Sequence, residues 1–261
     1  MSIHERKMVL SGGVISAPLF DEIFDLAGTD TPQLVIDGSP CVTQESLDNK
    51  RRTWKKIAED KNIPEPLMIQ DYADEPLSRD RANALLDRAD VLYVTGGASR
   101  NAINRWNEAG LTTDMRERVD SGDVVASGGS AGAMIWFNVG FSDSNYYDVE
   151  KGEHWDFEPV EEAKMFGSWV MAHYSDTDNL GRSKQALFSS FLHEHEGEWE
   201  YAVGIDTYAA LVCVSGLAHV RSLLPQTQEY KDYLANVHLY VDDESNPSRL
   251  SDGDVIPMHG M

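Results

Sequence analysis

Asp123–Met134 reads DVVASGGSAGAM. A short apolar run, Val124-Val125-Ala126, passes directly into Gly128-Gly129-Ser130-Ala131-Gly132-Ala133, which turns into a helix. Gly128-x-Ser130-x-Gly132 at a strand-to-helix turn fits the nucleophile-elbow pattern in the context that pattern requires. Small flanking residues permit a strained backbone at Ser130 and close approach of a substrate, and the following helix N-terminus stabilises a developing negative charge. The amide of Ala131 then points where an oxyanion would form. A glycine-rich turn that merely packs a helix on a sheet uses the same residue types; the strand before and helix after favour the catalytic reading.

Outward from this turn, short apolar runs alternate with longer amphipathic ones, which predicts a mostly parallel sheet wrapped by helices. Lys7–Leu10 reads as the first strand and Ser11-Gly12-Gly13 as the turn after it. Residues 32–36, 67–70, 90–95, 124–126, 169–172 and 209–214 read as further strands. Helices are expected over 19–26, 43–60, 77–88, 101–121 (broken at Gly110) and 183–194. In the second of these Thr43 caps the start, and Leu47, Trp54, Ile57 and Ala58 share one face. Phe141–Glu162 is polar, aromatic and irregular and is expected to loop over the site, while Asp242–Met261 is polar and poorly patterned. With no repeat, low-complexity tract or linker, residues 1–261 are expected to form one domain.

Composition bounds the function. The chain has 261 residues, 41% of them hydrophobic, with 44 acidic against 22 basic side chains and a net charge of −22. That acidity argues against non-specific nucleic-acid or anionic-membrane binding, both of which need a basic face. Cys41 and Cys213 lie far apart, outside any metal-ligand spacing, as expected of two buried thiols in a reducing compartment. The first ten residues lack the apolar core of a signal peptide, and the apolar runs Ala133–Phe137 and Ala209–Val214 are too short to span a bilayer. A cytoplasmic protein is expected; whether it is a monomer or a homodimer is left open.

Loops at the carboxyl ends of parallel strands line one crevice. Gly96-Gly97 follows the strand ending at Thr95, so Gly97 could supply a second oxyanion amide. A serine nucleophile also needs a base. Among eight histidines, His4 and His259 sit near the ends, and His193 and His195 lie in a charged His-Glu-His-Glu stretch. His154 lies in the loose acidic region, and His219 and His238 look like pattern positions on late strands. His173 follows the apolar run 169–172 and opens a polar loop, which places it on the crevice side.

These pieces resemble the peptidase E and cyanophycinase family of serine peptidases. The match runs in order through a first strand ending in Gly-Gly, Ala89-Asp90-Val91-x-Tyr93-x-Thr95-Gly96-Gly97, the Gly-x-Ser-Ala-Gly-Ala element, His173-Tyr174-Ser175 and Gly204-Ile205-Asp206. The resemblance covers roughly residues 7–215. It implies a three-layer α/β/α sandwich like that of class I glutamine amidotransferases, with Ser in place of their Cys. It implies Ser130 as nucleophile, His173 as base, Gly97 and Ala131 as oxyanion amides, and no metal or cofactor. For the acid that orients the histidine, Asp143 matches the peptidase E position best, with Asp148 a rival; the cyanophycinase position is Thr207 here, and Asp206 is the alternative.

The implied reaction is hydrolysis of small peptides, dipeptides with an N-terminal Asp, through an acyl-enzyme. Such a substrate needs a basic group, and Arg182, Arg100 and Arg105 are the candidates by sequence position. Cyanophycinases carry several Arg after the catalytic His, whereas HYSDTDNLGR keeps only Arg182. That leaves cyanophycinase-like or isoaspartyl cleavage as alternatives, beside an esterase or acyl hydrolase using the same elbow. An α/β-hydrolase, however, places its His near the C-terminus, and His173 follows Ser130 too early.

Overall fold

The computed structural model describes residues 6–147, 156–224, 235–241 and 246–257. Its first half alternates as β1 (Lys7–Ser11), α1 (Ala17–Ala27), β2 (Leu34–Asp37), α2 (Gln44–Lys61), β3 (Leu67–Met68), α3 (Arg79–Leu86), β4 (Val91–Val94), α4 (Ser99–Ala109), α5 (Thr112–Asp120), β5 (Val125–Gly129) and α6 (Ala131–Met134). The second half adds β6 (Val139–Ser142), β7 (Glu158–Glu161), β8 (Trp169–Ala172), α7 (Lys184–Glu194), β9 (Tyr201–Ile205), β10 (Ala209–Val214), β11 (Leu217–Ser222), β12 (Val237–Val241), β13 (Ser248–Leu250) and β14 (Val255–Pro257).

The first sheet has the order β14-β11-β10-β1-β5-β4-β2-β3. Pairing from β1 through β5, β4 and β2 to β3 is parallel, and the extension through β10, β11 and β14 is antiparallel. Side chains alternate strictly between its faces, as the two-residue period of a strand requires. Met8, Leu10, Val35, Leu92, Val94 and Ala126 pack with Ala82, Leu86, Ala102, Trp106, Met115 and Val119 from α3, α4 and α5. Val9, Leu34, Ile36, Val91, Tyr93 and Val125 pack on the other face with Leu19, Phe20 and Ile23 of α1 and Trp54 and Ala58 of α2. Helices cover both faces, giving the three layers. The expected caps also form: the Thr43 hydroxyl accepts from the Ser46 amide at 3.2 Å, and Gly110 (φ 68°) ends α4 in the left-handed region.

A second sheet, β13-β12-β9-β8-β6-β7, completes the molecule. Val170, Ala172, Val203, Ile205 and Val237 from it join the same buried cluster as Met8 and Leu10, so one core runs between the sheets. Its other face carries Phe141, Trp169, Tyr174 and Tyr240 against Phe188 and Phe191 of α7. Residues 141–162 therefore depart from the expected loop. β6 pairs antiparallel with β7 and parallel with β8, and Ser144–Tyr147 forms a short 3-10 turn. The physical reason is that Phe141 and Val160 are buried, one in the aromatic cluster and one in the central core, which anchors both strands. Residues 148–155, with Asp148 and His154, lie outside the described residues, as do His4 and His259. Among the described residues no helix is long and apolar enough to cross a membrane.

Candidate active site

β5 ends at Gly129, and the backbone reverses at Ser130 with φ 57° and ψ −122° before α6 begins. That is a conformation L-residues rarely hold. The surrounding glycines make it affordable to pack. A Cβ on Gly128 would lie 2.2 Å from the Gly132 carbonyl oxygen, and one on Gly132 would lie 2.0 Å from that of Val94. The Ser130 amide donates to the Ser11 carbonyl at 3.1 Å, which ties the elbow to β1. Ala131 is the first residue of α6, where an amide has no acceptor within its own helix.

Gly97, just past β4, has φ 152°, and a Cβ there would meet the Pro40 carbonyl oxygen at 2.3 Å. A Cβ on Gly96 would stand 3.4 Å from that of Ser130. Gly96, Gly97, Gly129, Ser130 and His173 line one cleft of about 270 Å³, together with Gly13, Ile15, Ser46, Lys50 and Tyr93. The structure thus brings Ser130, His173 and Gly97 together as expected from three strand ends.

His173 follows β8 with φ 54°, and its amide donates to the Gly12 carbonyl at 3.1 Å. Its ring lies over Gly13, where a Cβ would come within 2.1 Å of Cε1. Nδ1 is 2.8 Å from the Thr207 hydroxyl and 3.4 Å from Oδ2 of Asp176. The Thr207 hydroxyl donates its proton to Asp176 Oδ2 at 2.8 Å. A hydroxyl has one proton, so towards His173 Thr207 can only accept, and Nδ1 is the protonated nitrogen. Nε2 is left with the lone pair that a general base needs. Burial acts to raise the Asp176 pKa, but the hydrogen bonds from His173 and Thr207, with the charges of His173 and Lys184, hold its carboxyl below the usual value.

Asp143, the acid expected to orient the histidine, directly follows β6, and its carbonyl accepts from Tyr146 at 2.9 Å; the groups placed on the His173 ring are Thr207 and Asp176. Pairing of β6 into the second sheet fixes Asp143 at that strand's end. Asp206 is also turned elsewhere. It is fully buried, accepts from the Ser175 hydroxyl and from the Asn236 amide at 3.0 Å, and lies 3.5 Å from His238 Nε2. Burial works to raise its pKa, but His238, Ser175 and Asn236 outweigh it and lower the value.

The arginines expected to bind substrate engage other partners. Arg182 pairs with Asp178 at 2.7 Å and Asp156 at 3.0 Å, in a separate groove lined by Phe157 and Phe191. Arg100 pairs with Glu158 and donates to Asn145 at 3.1 Å, and Arg105 donates to the carbonyls of Ala73 and Glu75. None of the three lines the cleft. The cation that does is Lys50. A signal was present: on the helical wheel of α2, Lys50 falls between Ile57 and Trp54, on the face that buries Leu47, Trp54 and Ala58 and that also carries Lys61.

The family model of peptidase family S51 matches residues 73–220, which is more than half of the chain. An uncharacterised peptidase, YgaJ, of Bacillus subtilis (strain 168) is 44% identical over 70 residues, or 27% of this chain; the matched stretch spans 30% of that relative's length. Among solved structures, a peptidase from an acI-B1 Actinobacterium superposes with a TM-score of 0.67 at 15% identity, covering 97% of this chain and 96% of that one. A putative peptidase E protein from Listeria monocytogenes EGD-e gives a TM-score of 0.53 at 16% identity, covering 84% of this chain and 99% of that one.

Proposed function

The chain belongs to peptidase family S51, and we propose that it is a serine exopeptidase that hydrolyses dipeptides with an N-terminal Asp through an acyl-enzyme. The observation that supports this most directly is the pairing of a strained Ser130 with a His173 whose Nδ1 is tied down, both facing one cleft. Ser130 Oγ attacks the scissile carbonyl while His173 Nε2 takes its proton. The amides of Gly97 and Ala131 receive the oxyanion, as preorganised donors at a helix start do. His173 then returns the proton to the leaving amine, and water repeats the sequence to release the acid.

In this mechanism Asp176 is a positioning residue that acts through Thr207. It sets the tautomer and stabilises the imidazolium formed as the proton moves. Thr207→Val should lower kcat by about 10²- to 10³-fold with little change in KM, because it removes the nearer acceptor for Nδ1–H, at 2.8 Å, and leaves Asp176 at 3.4 Å. Thr207→Ser should restore most of the rate. A KM effect without a kcat effect, or no rescue by serine, would contradict the relay.

The reading is tested by offering Asp-Leu, Ala-Leu, isoaspartyl-leucine and a nitrophenyl ester to the wild-type protein and to His173→Ala. Release of leucine from Asp-Leu by the wild type alone is expected. No turnover of any peptide overturns the proposal, and cleavage of the ester alone makes the protein an acyl hydrolase.

A further inference from the structure

The cleft that holds Ser130 and His173 has a second polar wall made by α2. Ser46 and Lys50, one turn apart, both line it. Such i, i+4 residues stand one above the other on a helix face. Lys50 is half-buried, in an arc of α2 whose neighbours Leu47 and Trp54 are buried. A lysine so placed can lay its stem along apolar surface and extend its ammonium into the cleft it lines, as lysines at the edge of a core do. Among the described residues no carboxylate pairs with Lys50, and the residues lining the cleft include no Asp or Glu. The other candidate cations, Arg182 and Arg100, are paired with Asp178, Asp156 and Glu158 in other places. A half-buried lysine that lines the same cleft as Ser130, with no carboxylate partner among the described residues, is a candidate recognition group for an anion.

We propose that Lys50, assisted by the Ser46 hydroxyl, binds a carboxylate on the substrate residue whose carbonyl Ser130 attacks. This assignment rests on the peptidase reading above and deepens it to the residue that reads acidic substrates. The cleft volume of about 270 Å³ is small beside the roughly 300–1,000 Å³ of sites for drug-sized ligands. A cleft of that size suits a carboxylate on the residue at the scissile bond better than one on a distant part of a long peptide. Local attraction is also what the whole molecule requires. With a net charge of −22 it repels an anion at long range, but beyond a Debye length of about 8 Å that repulsion is screened. A short-range cation in the cleft then decides binding.

The carboxylate has two sources. It is the side chain of an α-linked Asp, or the α-carboxylate of an isoaspartyl residue linked through its side chain. Both present the same anion next to the attacked carbonyl. Binding of Asp-Leu, isoaspartyl-leucine and the neutral isostere Asn-Leu is measured by calorimetry on Ser130→Ala, which holds substrate without turning it over. The same three titrations are run on Ser130→Ala/Lys50→Met and Ser130→Ala/Lys50→Arg. Methionine suits the apolar stripe between Ile57 and Trp54, so the double variant keeps its fold, which thermal melting checks.

An acidic dipeptide is expected to bind more tightly than Asn-Leu, and Lys50→Met should weaken it about 10- to 100-fold, the value of a hydrogen bond to a charged group. Asn-Leu should be unaffected, and Lys50→Arg should keep the preference. Whichever acidic dipeptide loses affinity identifies the source of the carboxylate. Equal affinities before and after Lys50→Met, equal weakening of Asn-Leu, or no binding of either acidic dipeptide overturns the assignment. Absence of turnover by the wild-type protein is a separate result: it removes the peptidase reading and leaves the binding comparison intact.

Discussion

Ser130→Gly is expected to abolish the proposed hydrolysis and to make the protein more stable. Loss of the nucleophile is expected to lower kcat/KM by about 10⁴-fold or more, since what survives in a triad enzyme without its serine comes from binding and the oxyanion donors alone. The gain in stability comes from the backbone. At φ 57° and ψ −122° any residue with a Cβ is strained by about 1–3 kcal/mol, whereas glycine takes mirror-image conformations freely. Ser130→Ala shares the lost activity but keeps the strain. Urea unfolding should therefore rank Ser130→Gly above Ser130→Ala by about 1–2 kcal/mol. Equal midpoints for the two variants would show that the elbow stores no strain. The trade of stability for a poised nucleophile is the usual one at a working site.

The second large effect is a dependence of stability on pH that belongs to one residue. Glu162 is buried beneath β6, packed where a Cβ on Gly140 would lie 2.9 Å from its Oε1 and 3.5 Å from the Met134 side chain. Neither carboxyl oxygen has a hydrogen-bond partner of good geometry among the described residues. The Ser99 hydroxyl, already engaged with Ser142 at 3.1 Å, offers only a partial counterweight. Burial pushes the carboxyl up from 4.5 to about 8. The folded protein thus holds this proton more tightly than the unfolded chain does. Stability falls as pH rises from about 4.5 to about 8 and levels off above that.

At about 1.4 kcal/mol per pH unit the full span is worth up to about 5 kcal/mol. Glu162→Gln, neutral at every pH, should match the wild type near pH 5 and exceed it by several kcal/mol near pH 9 in urea unfolding. Parallel stability curves for the two proteins would show that Glu162 ionises normally. Asp176 and Asp206, whose values are lowered, impose the opposite slope at lower pH, where acid removes the hydrogen bonds their carboxylates accept. The difference between wild type and Glu162→Gln isolates the buried glutamate from them.

The parallel half of the fold was legible because its strands are buried on both faces and its helices carry clear apolar stripes. The same logic located Ser130, Gly97 and His173, since each follows a strand whose carboxyl end is marked by glycine or a change to polar residues. The second sheet was harder. Glu158–Glu161 reads Glu-Pro-Val-Glu, where a proline and two glutamates conceal one buried valine. Its pairing with β6 removed Asp143 from the place that counting along the chain from Ser130 suggested.

Asp176 escaped notice for a different reason. It meets the His173 ring across a loop that leaves His173 in the left-handed region, and it does so through Thr207, which arrives from beyond β9. No spacing rule connects three such residues. Lys50 shares the buried face of α2 with Lys61, and only the lining of the cleft, which includes Lys50, sets it apart.

The two glycines that flank Ser130 have a consequence for lineage. Gly128 and Gly132 are required by contact of backbone with backbone, and neither contact involves the reaction. Selection for folding alone would preserve both, even in a descendant that had stopped cutting peptides. Ser130 is the position between them that drifts free once turnover no longer matters, and glycine is the replacement that folding rewards. A retired copy of this protein would therefore still display Gly-x-x-x-Gly at the same turn, and the residue in the middle would record whether it still works.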